Sequence, residues 1–187
     1  MADITDEGRG ARTFAVAERV RATLERHGVS PVLIGAMALA QHRYVRATVD
    51  VDLAANATLG LFRAVRDELA IAGFDARLEE PDPLGGVLTV EGADFDPVQV
   101  VSFEGKFPAL VTEALAHSKP FGDPAFSIVV PDLPRLIAFK LYAGGRKSEL
   151  DILELIDRNP DLDLVDLRAS CKRLNLDREL AKILGDR

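Results

Sequence analysis

Val32-Leu33-Ile34-Gly35-Ala36-Met37-Ala38-Leu39, followed by Arg46-Ala47-Thr48-Val49-Asp50-Val51-Asp52-Leu53, is the stretch whose pattern decides the fold. Val32–Ile34 is a short apolar strand, Gly35 opens a turn, and Ala36–Gln41 reads as helix. Thr48–Leu53 then alternates: Val49, Val51 and Leu53 lie on one face, with Thr48, Asp50 and Asp52 on the other, as in a half-buried strand. Carboxylates at i and i+2 share a strand face with their stems about 6–7 Å apart. Such a pair can bracket two divalent cations about 3.5–4 Å apart. The cations relieve a repulsion that otherwise resists ionisation of one carboxylate. Glycine at a strand-to-helix turn lets backbone N–H groups approach a phosphate in front of the helix N-terminus. A phosphate cradle and a cation clamp on consecutive elements equip a chain for phosphoryl or nucleotidyl transfer, where positioning and charge neutralisation do most of the catalysis. The plainer readings are a wet strand face for Asp50 and Asp52 and an ordinary turn for Gly35.

Working outward, Phe14, Val16, Val20 and Leu24 mark a helix over Thr13–His27, stopped by Gly28, while the polar first dozen residues are expected to fray. Leu59–Gly73 returns to helical spacing. Phe74–Leu78 and Val87–Val90 read as strands joined through the turn-rich stretch Pro81-Asp82-Pro83-Leu84-Gly85-Gly86. Asp96–Phe103 is a further strand, with Pro97 at its start or on an edge. Beyond Gly105 the helical segments are Pro108–His117, Leu133–Ala143, Ser148–Asp157, Val165–Asn175 and Arg178–Leu184, interrupted by a strand at Phe126–Val130. Asp132 is placed to cap the helix that starts at Leu133. The order of elements implies an α+β chain: a mixed-sheet lobe with flanking helices over residues 1–105, then a mainly helical lobe over 106–187.

The 187 residues suit one compact unit or two small lobes at roughly 150 residues per domain. The hydrophobic share of 48% and charged share of 28% exclude collagen, coiled-coil and disordered classes. The apolar runs fall far short of the roughly 18 residues of a membrane span, and the acidic N-terminus is unlike a signal peptide, so a cytoplasmic protein with no membrane partner is expected. A net charge of −7 argues against broad nucleic-acid binding, although a local basic patch around Arg43, Arg46 and Arg146 would override it. The single cysteine, Cys171, forms no internal disulfide and reads as a buried helix residue. His27, His42 and His117 show no metal or triad spacing and read as structural. The acidic run Asp161–Asp166 reads as a solvated loop and helix start. Serine-hydrolase, Walker and dinucleotide-binding patterns do not occur.

The Gly35-Ala36 turn and the Asp50-Val51-Asp52 strand in their Arg-Ala-Thr context resemble the nucleotidyltransferase superfamily with the DNA polymerase β-like fold. The resemblance extends to Leu136-Ile137-Ala138-Phe139-Lys140-Leu141, Gly145-Arg146-Lys147 and Asp151-Ile152, and is nearest to small prokaryotic members related to abortive-infection and toxin–antitoxin systems. It implies a Mg²⁺- or Mn²⁺-dependent transfer of a nucleoside monophosphate from a nucleoside triphosphate to a hydroxyl on an unknown acceptor (protein, RNA or small molecule). Asp50 and Asp52 would bind the metal, Gly35 and Ala36 the triphosphate, and Lys140 a phosphate. Arg46, Arg146 and Asp151 match less specifically. Lys140 alternatively reads as a solvated helix residue, and Arg146-Lys147 as an exposed loop. Two departures stand out. Ala36 replaces the usual second glycine or serine, and Gln99 occupies the position of the third carboxylate, where an amide is no general base. Asp96 substitutes for it only if a bulge at Pro97 turns it to the same face, and Asp94 is more remote. These departures leave open a non-catalytic module that binds a nucleotide or a partner protein.

Overall fold

The computed structural model describes residues 6–46, 48, 50–82, 85–122 and 126–185. Ala47 and Val49 of the expected strand, Pro83-Leu84 of the expected turn and residues 1–5 of the N-terminal stretch lie outside the described residues.

Helix α1 spans Asp6–Arg26 and buries Val16, Ala17, Val20 and Leu24. It begins well before the expected Thr13, and residues 6–12 are helical. Long-range bonds explain the difference. Arg9 donates to the carbonyls of Ala93 and Phe95, both at 3.0 Å, and its Nε meets Asp96 at 2.6 Å. Strand β1 (Val32–Ile34) leads directly into α2 (Gly35–Gln41), and the chain returns as β2 (Val51–Ala55). Helix α3 (Leu59–Ile71) is capped by the Thr58 hydroxyl and followed by a hairpin of β3 (Asp75–Asp82) and β4 (Gly85–Glu91). β5 (Val98–Ser102) completes a mixed five-stranded sheet in the order β1-β2-β5-β4-β3. β2 and β5 are parallel and the other neighbours antiparallel. Pro97 stands just before β5, as expected, and its carbonyl accepts from Val51 N at 3.0 Å.

Register sorts the sheet into an apolar row and a polar one. Leu33, Leu53, Val100, Leu88 and Leu78 face one another across all five strands, and the first four are fully buried. One residue on, Ile34, Asp52, Gln99, Thr89 and Arg77 form the row on the opposite face. A slip of one residue across the sheet would turn four polar side chains toward the core and four buried leucines or valines out of it, so the register is strongly specified.

After Gly105 come α4 (Pro108–Ala116), β6 (Ser118–Pro120), β7 (Val129–Pro131), α5 (Leu133–Ala143), α6 (Gly145–Arg158), α7 (Leu164–Arg173) and α8 (Asp177–Leu184). The strand expected over Phe126–Val130 starts later, at Val129. The N–H groups of Ser127 and Ile128 bond the Glu18 carboxylate, at 2.6 and 2.7 Å, instead of a strand neighbour. Its ribbon partner β6 was not anticipated. Arg146 and Lys147 belong to the first turn of α6, not to a loop. Gly144 alone links the two helices, at a positive φ of 65° that disfavours side-chain-bearing residues. Asp132 caps α5 as expected, accepting from Arg135 N at 3.2 Å.

One continuous apolar core runs through the sheet and the later helices. At its far end Arg135 is 1% exposed. It bonds Asp132 at 3.0 Å, Glu113 of α4 at 3.2 Å, and Asp166 of α7. Ser170 and Arg173 complete the shell around Glu113, at 2.7 and 2.5 Å. Asp161 and Asp163 are exposed and Asp163 caps α7, as expected of a solvated loop and helix start, while Asp166 at its end also pairs with Arg135. Among the described residues no helix is long and apolar enough to cross a membrane.

Candidate active site

Pairing of β1 with β2 places Ile34 beside Asp52, so the turn that follows Ile34 runs directly over the Asp52 side chain. Gly35 has φ +71°, and a Cβ there would stand 2.0 Å from Asp52 Oδ2 and 2.9 Å from Asp52 Cβ. Both facts demand glycine: the backbone is left-handed, and a carboxylate occupies the space of a side chain. No side chain caps α2, so its first turn presents backbone N–H groups to whatever lies in front of it.

Asp50 lies immediately before β2, and its carboxylate accepts a bond from the Thr48 hydroxyl. Burial, and then the nearby charge of Asp50, push the Asp52 carboxyl up to about 6; the positive charges of Lys140, Lys147 and Arg46 pull the other way. A partly desolvated carboxylate, Asp52, thus lies within the electrostatic reach of a second carboxylate and of three cations. Hard oxygen donors of this kind suit Mg²⁺ or Mn²⁺, and a bound cation would remove the penalty on Asp52. Among the described residues no group of three or more His, Cys, Asp or Glu side chains could hold a metal by itself.

Gln99 is the cross-strand neighbour of Asp52 on β5, with Thr89 beyond it. It therefore stands in the polar row next to the carboxylates. Asp96 does not join them. Arg9 holds its carboxylate, and its N–H donates to Thr13 Oγ at 2.9 Å, so Asp96 is tied to α1. Asp94 likewise pairs with Arg12, at 2.8 Å.

The helices add the cations. Lys140 is not a solvated residue: its side chain is 13% exposed and meets Asp151 at 2.8 Å. Asp151 is 2% exposed and also takes Arg46, at a looser 3.4 Å. The Arg46 Nε is buried without a hydrogen-bond partner among the described residues. Tyr44, Arg46, Arg146, Lys147, Leu150 and Asp151 line an open pocket of about 440 Å³. Arg43, the other member of the expected basic patch, instead pairs with Asp161 at 3.0 Å and lines a separate cavity of about 480 Å³ beyond the C-terminal end of α2. Asp151 and Lys147 entered the sequence reading only through the resemblance, with no role assigned to Lys147. The available signal for Asp151 was an acidic residue on the apolar stripe of α6, beside the buried Ile152 and Leu155.

No protein-family model matches the chain, and no curated protein matches it in sequence. Solved structures do. An antigenic nucleotidyltransferase-like protein from Paracoccidioides brasiliensis matches 94% of this chain over 93% of its own, at 13% identity and a TM-score of 0.53. The antibiotic-resistance factor ANT(2'')-Ia matches 92% of this chain over 92% of its own, at 12% identity and a TM-score of 0.51. Against a cytoplasmic RNA terminal U-transferase, at 15% identity and a TM-score of 0.42, the chain spans 29% of that protein's length. The chain therefore shares its α+β fold with the first two of these structures.

Proposed function

We propose that this chain is a divalent-cation-dependent nucleotidyltransferase, moving a nucleoside monophosphate from a nucleoside triphosphate to an acceptor hydroxyl. The observation that carries the reading is the packing of the left-handed Gly35 turn directly onto Asp52, which joins an open phosphate-facing backbone to a carboxylate pair. Asp50 and Asp52 would hold Mg²⁺ or Mn²⁺, a ligand set of the size such cations commonly use alongside substrate phosphates. When bound, the cation neutralises the phosphates and the charge developing on the leaving oxygen. The Gly35–Ala36 backbone receives phosphate oxygens. Asp151 fixes Lys140 and Arg46 toward Asp52, and the Gln99 amide offers hydrogen-bond donors beside it. In this reading residues 1–105 supply the carboxylates and residues 106–187 most of the cations.

A second reading is favoured by Gln99 and by the tethering of Asp96 to Arg9: nucleotide binding without turnover. Both readings are tested by incubating the chain with Mg²⁺ and α-labelled nucleoside triphosphates in the presence of RNA, protein and small-molecule acceptor fractions. Transfer of label that depends on Asp50 and Asp52 establishes the enzyme. Transfer appearing only in Gln99→Asp establishes a binding fold that lacks its base, and no transfer in either chain contradicts the catalytic reading.

A further inference from the structure

Of the six large hydrophobic side chains exposed among the described residues, four lie along one strip of surface beside α6. Val45, 82% exposed, stands between Tyr44 and Arg46, which line one open pocket together with Leu150. The Tyr44 ring also carries the Arg158 guanidinium, 5.3 Å from its centroid, so the segment before β2 follows α6 toward its C-terminal end. There Arg43 reaches Asp161 at 3.0 Å, and Leu164 and Val165, the latter 79% exposed, open the first turn of α7 just beyond. Ile71 and Tyr142 stand apart, at the ends of α3 and α5. Leu150, Glu154 and Arg158 succeed one another at i+4 spacing, so a single face of α6 joins the two ends of the strip. Apolar side chains gathered in this way on a surface mark a contact site.

The charges of the strip are divided between its ends. Arg146 and Lys147 are exposed in the first turn of α6, where the helix dipole disfavours positive charge and no acidic residue accompanies them. The contact of Arg146 with Glu149 is a loose 3.6 Å. Past the other end of the helix stand the exposed Asp161 and Asp163, while Glu154 and Arg158 cancel each other between, at 2.9 Å. The 14 residues of α6 hold the two ends about 20 Å apart.

We propose that this strip is the contact surface between two copies of the chain, related by a two-fold axis beside Leu150. Two α6 helices laid antiparallel set Arg146 and Lys147 of one copy against Asp161 and Asp163 of the partner subunit. The symmetry forms the same contact a second time, so the assembly closes as a dimer. Association takes Val45, Leu150, Leu164 and Val165 of each copy out of water and brings carboxylates to the cations of the first turn. A parallel arrangement would oppose like charges. An acidic partner, nucleic acid included, would satisfy the basic end alone and meet repulsion at Asp161 and Asp163. The inference goes beyond the nucleotidyl-transfer reading and does not rest on it.

Sedimentation equilibrium of the full chain, wild type and two charge-reversed variants, tests the surface. Arg146→Glu/Lys147→Glu makes both ends acidic, and Asp161→Lys/Val165→Lys makes both basic while leaving Asp163 to cap α7; circular dichroism verifies that each stays folded. Wild type is expected to dimerise at about 50 µM, and less tightly as salt rises. Each variant alone should dimerise at least about tenfold more weakly, and an equimolar mixture of the two should recover the dimer, because each then offers the charge the other needs. A monomeric wild type, a dimer that neither variant weakens, or a mixture no tighter than its components would overturn the proposal.

Discussion

A methyl group at Gly35 would collide with three atoms of Asp52 in a backbone conformation that alanine resists. Gly35→Ala is therefore expected to cost about 1–2 kcal/mol and, by pushing the carboxylate aside, to remove Mg²⁺-dependent nucleotide binding. Urea denaturation and calorimetry on the same variant check the two effects. Asp52 itself behaves in the opposite sense. Its carboxyl titrates near 6 when folded, against an ordinary value of 3.8, so the folded state binds the proton more tightly than the unfolded chain does. Stability is accordingly greatest below the ordinary value, falls as pH rises through the interval, and carries the full penalty above 6. Asp52→Asn should stabilise the metal-free protein at pH 7.5 by up to about 3 kcal/mol, with the gain vanishing near pH 3. Denaturation midpoints at the two pH values decide it; a destabilised Asn variant at pH 7.5 would contradict the electrostatic picture. Cys171 makes a simpler case. Burial and the nearby charges of Glu113 and Asp177 push its thiol up to about 11. A thiol reagent at pH 8 should modify it only as fast as the protein unfolds.

Among the elements, the helices after Gly105 are joined by charge as well as by apolar packing. Arg135→Ala strands Glu113, Asp132 and Asp166 around a vacated buried position and should cost about 3–5 kcal/mol. Asp132→Ala, which removes the cap of α5, should cost about 1 kcal/mol. Chemical denaturation ranks the two, and equal small losses would contradict the role given to Arg135. The helices themselves were readable because apolar spacing, glycine stops and Asp132 are local signals. What escaped was set by distant partners. The first turns of α1 are helical because Arg9 reaches a loop far along the chain. β7 starts late because Glu18 claims two of the N–H groups before it. β6 exists only through pairing with β7. Within the candidate site, Asp50, Asp52 and Gly35 carry a local pattern, and Gln99 was singled out through the resemblance. Asp151 and Lys147 were quoted through the resemblance, but the ion pairs of Asp151 with Arg46 and Lys140 and the influence of Lys147 on Asp52 come from the fold, which no spacing encodes.

At the scale of the whole molecule, the two ends of the chain contribute opposite charges to one place. β2 carries Asp52 in the polar row with Asp50 just before the strand, and the charges of Lys140 on α5 and Lys147 on α6 act on Asp52. Metal-free, the arrangement leaves Asp52 burdened; a cation with a polyphosphate satisfies both sides at once. Calorimetric titration of the wild-type chain and the Asp50→Asn/Asp52→Asn variant with non-hydrolysable ATP, GTP, CTP and UTP analogues, with and without Mg²⁺, is the most direct test. We expect wild type to bind at least one analogue only when Mg²⁺ is present, and the double variant to bind none. Binding that is indifferent to Mg²⁺, or that survives in the double variant, would contradict the assignment of the carboxylate pair as the nucleotide site.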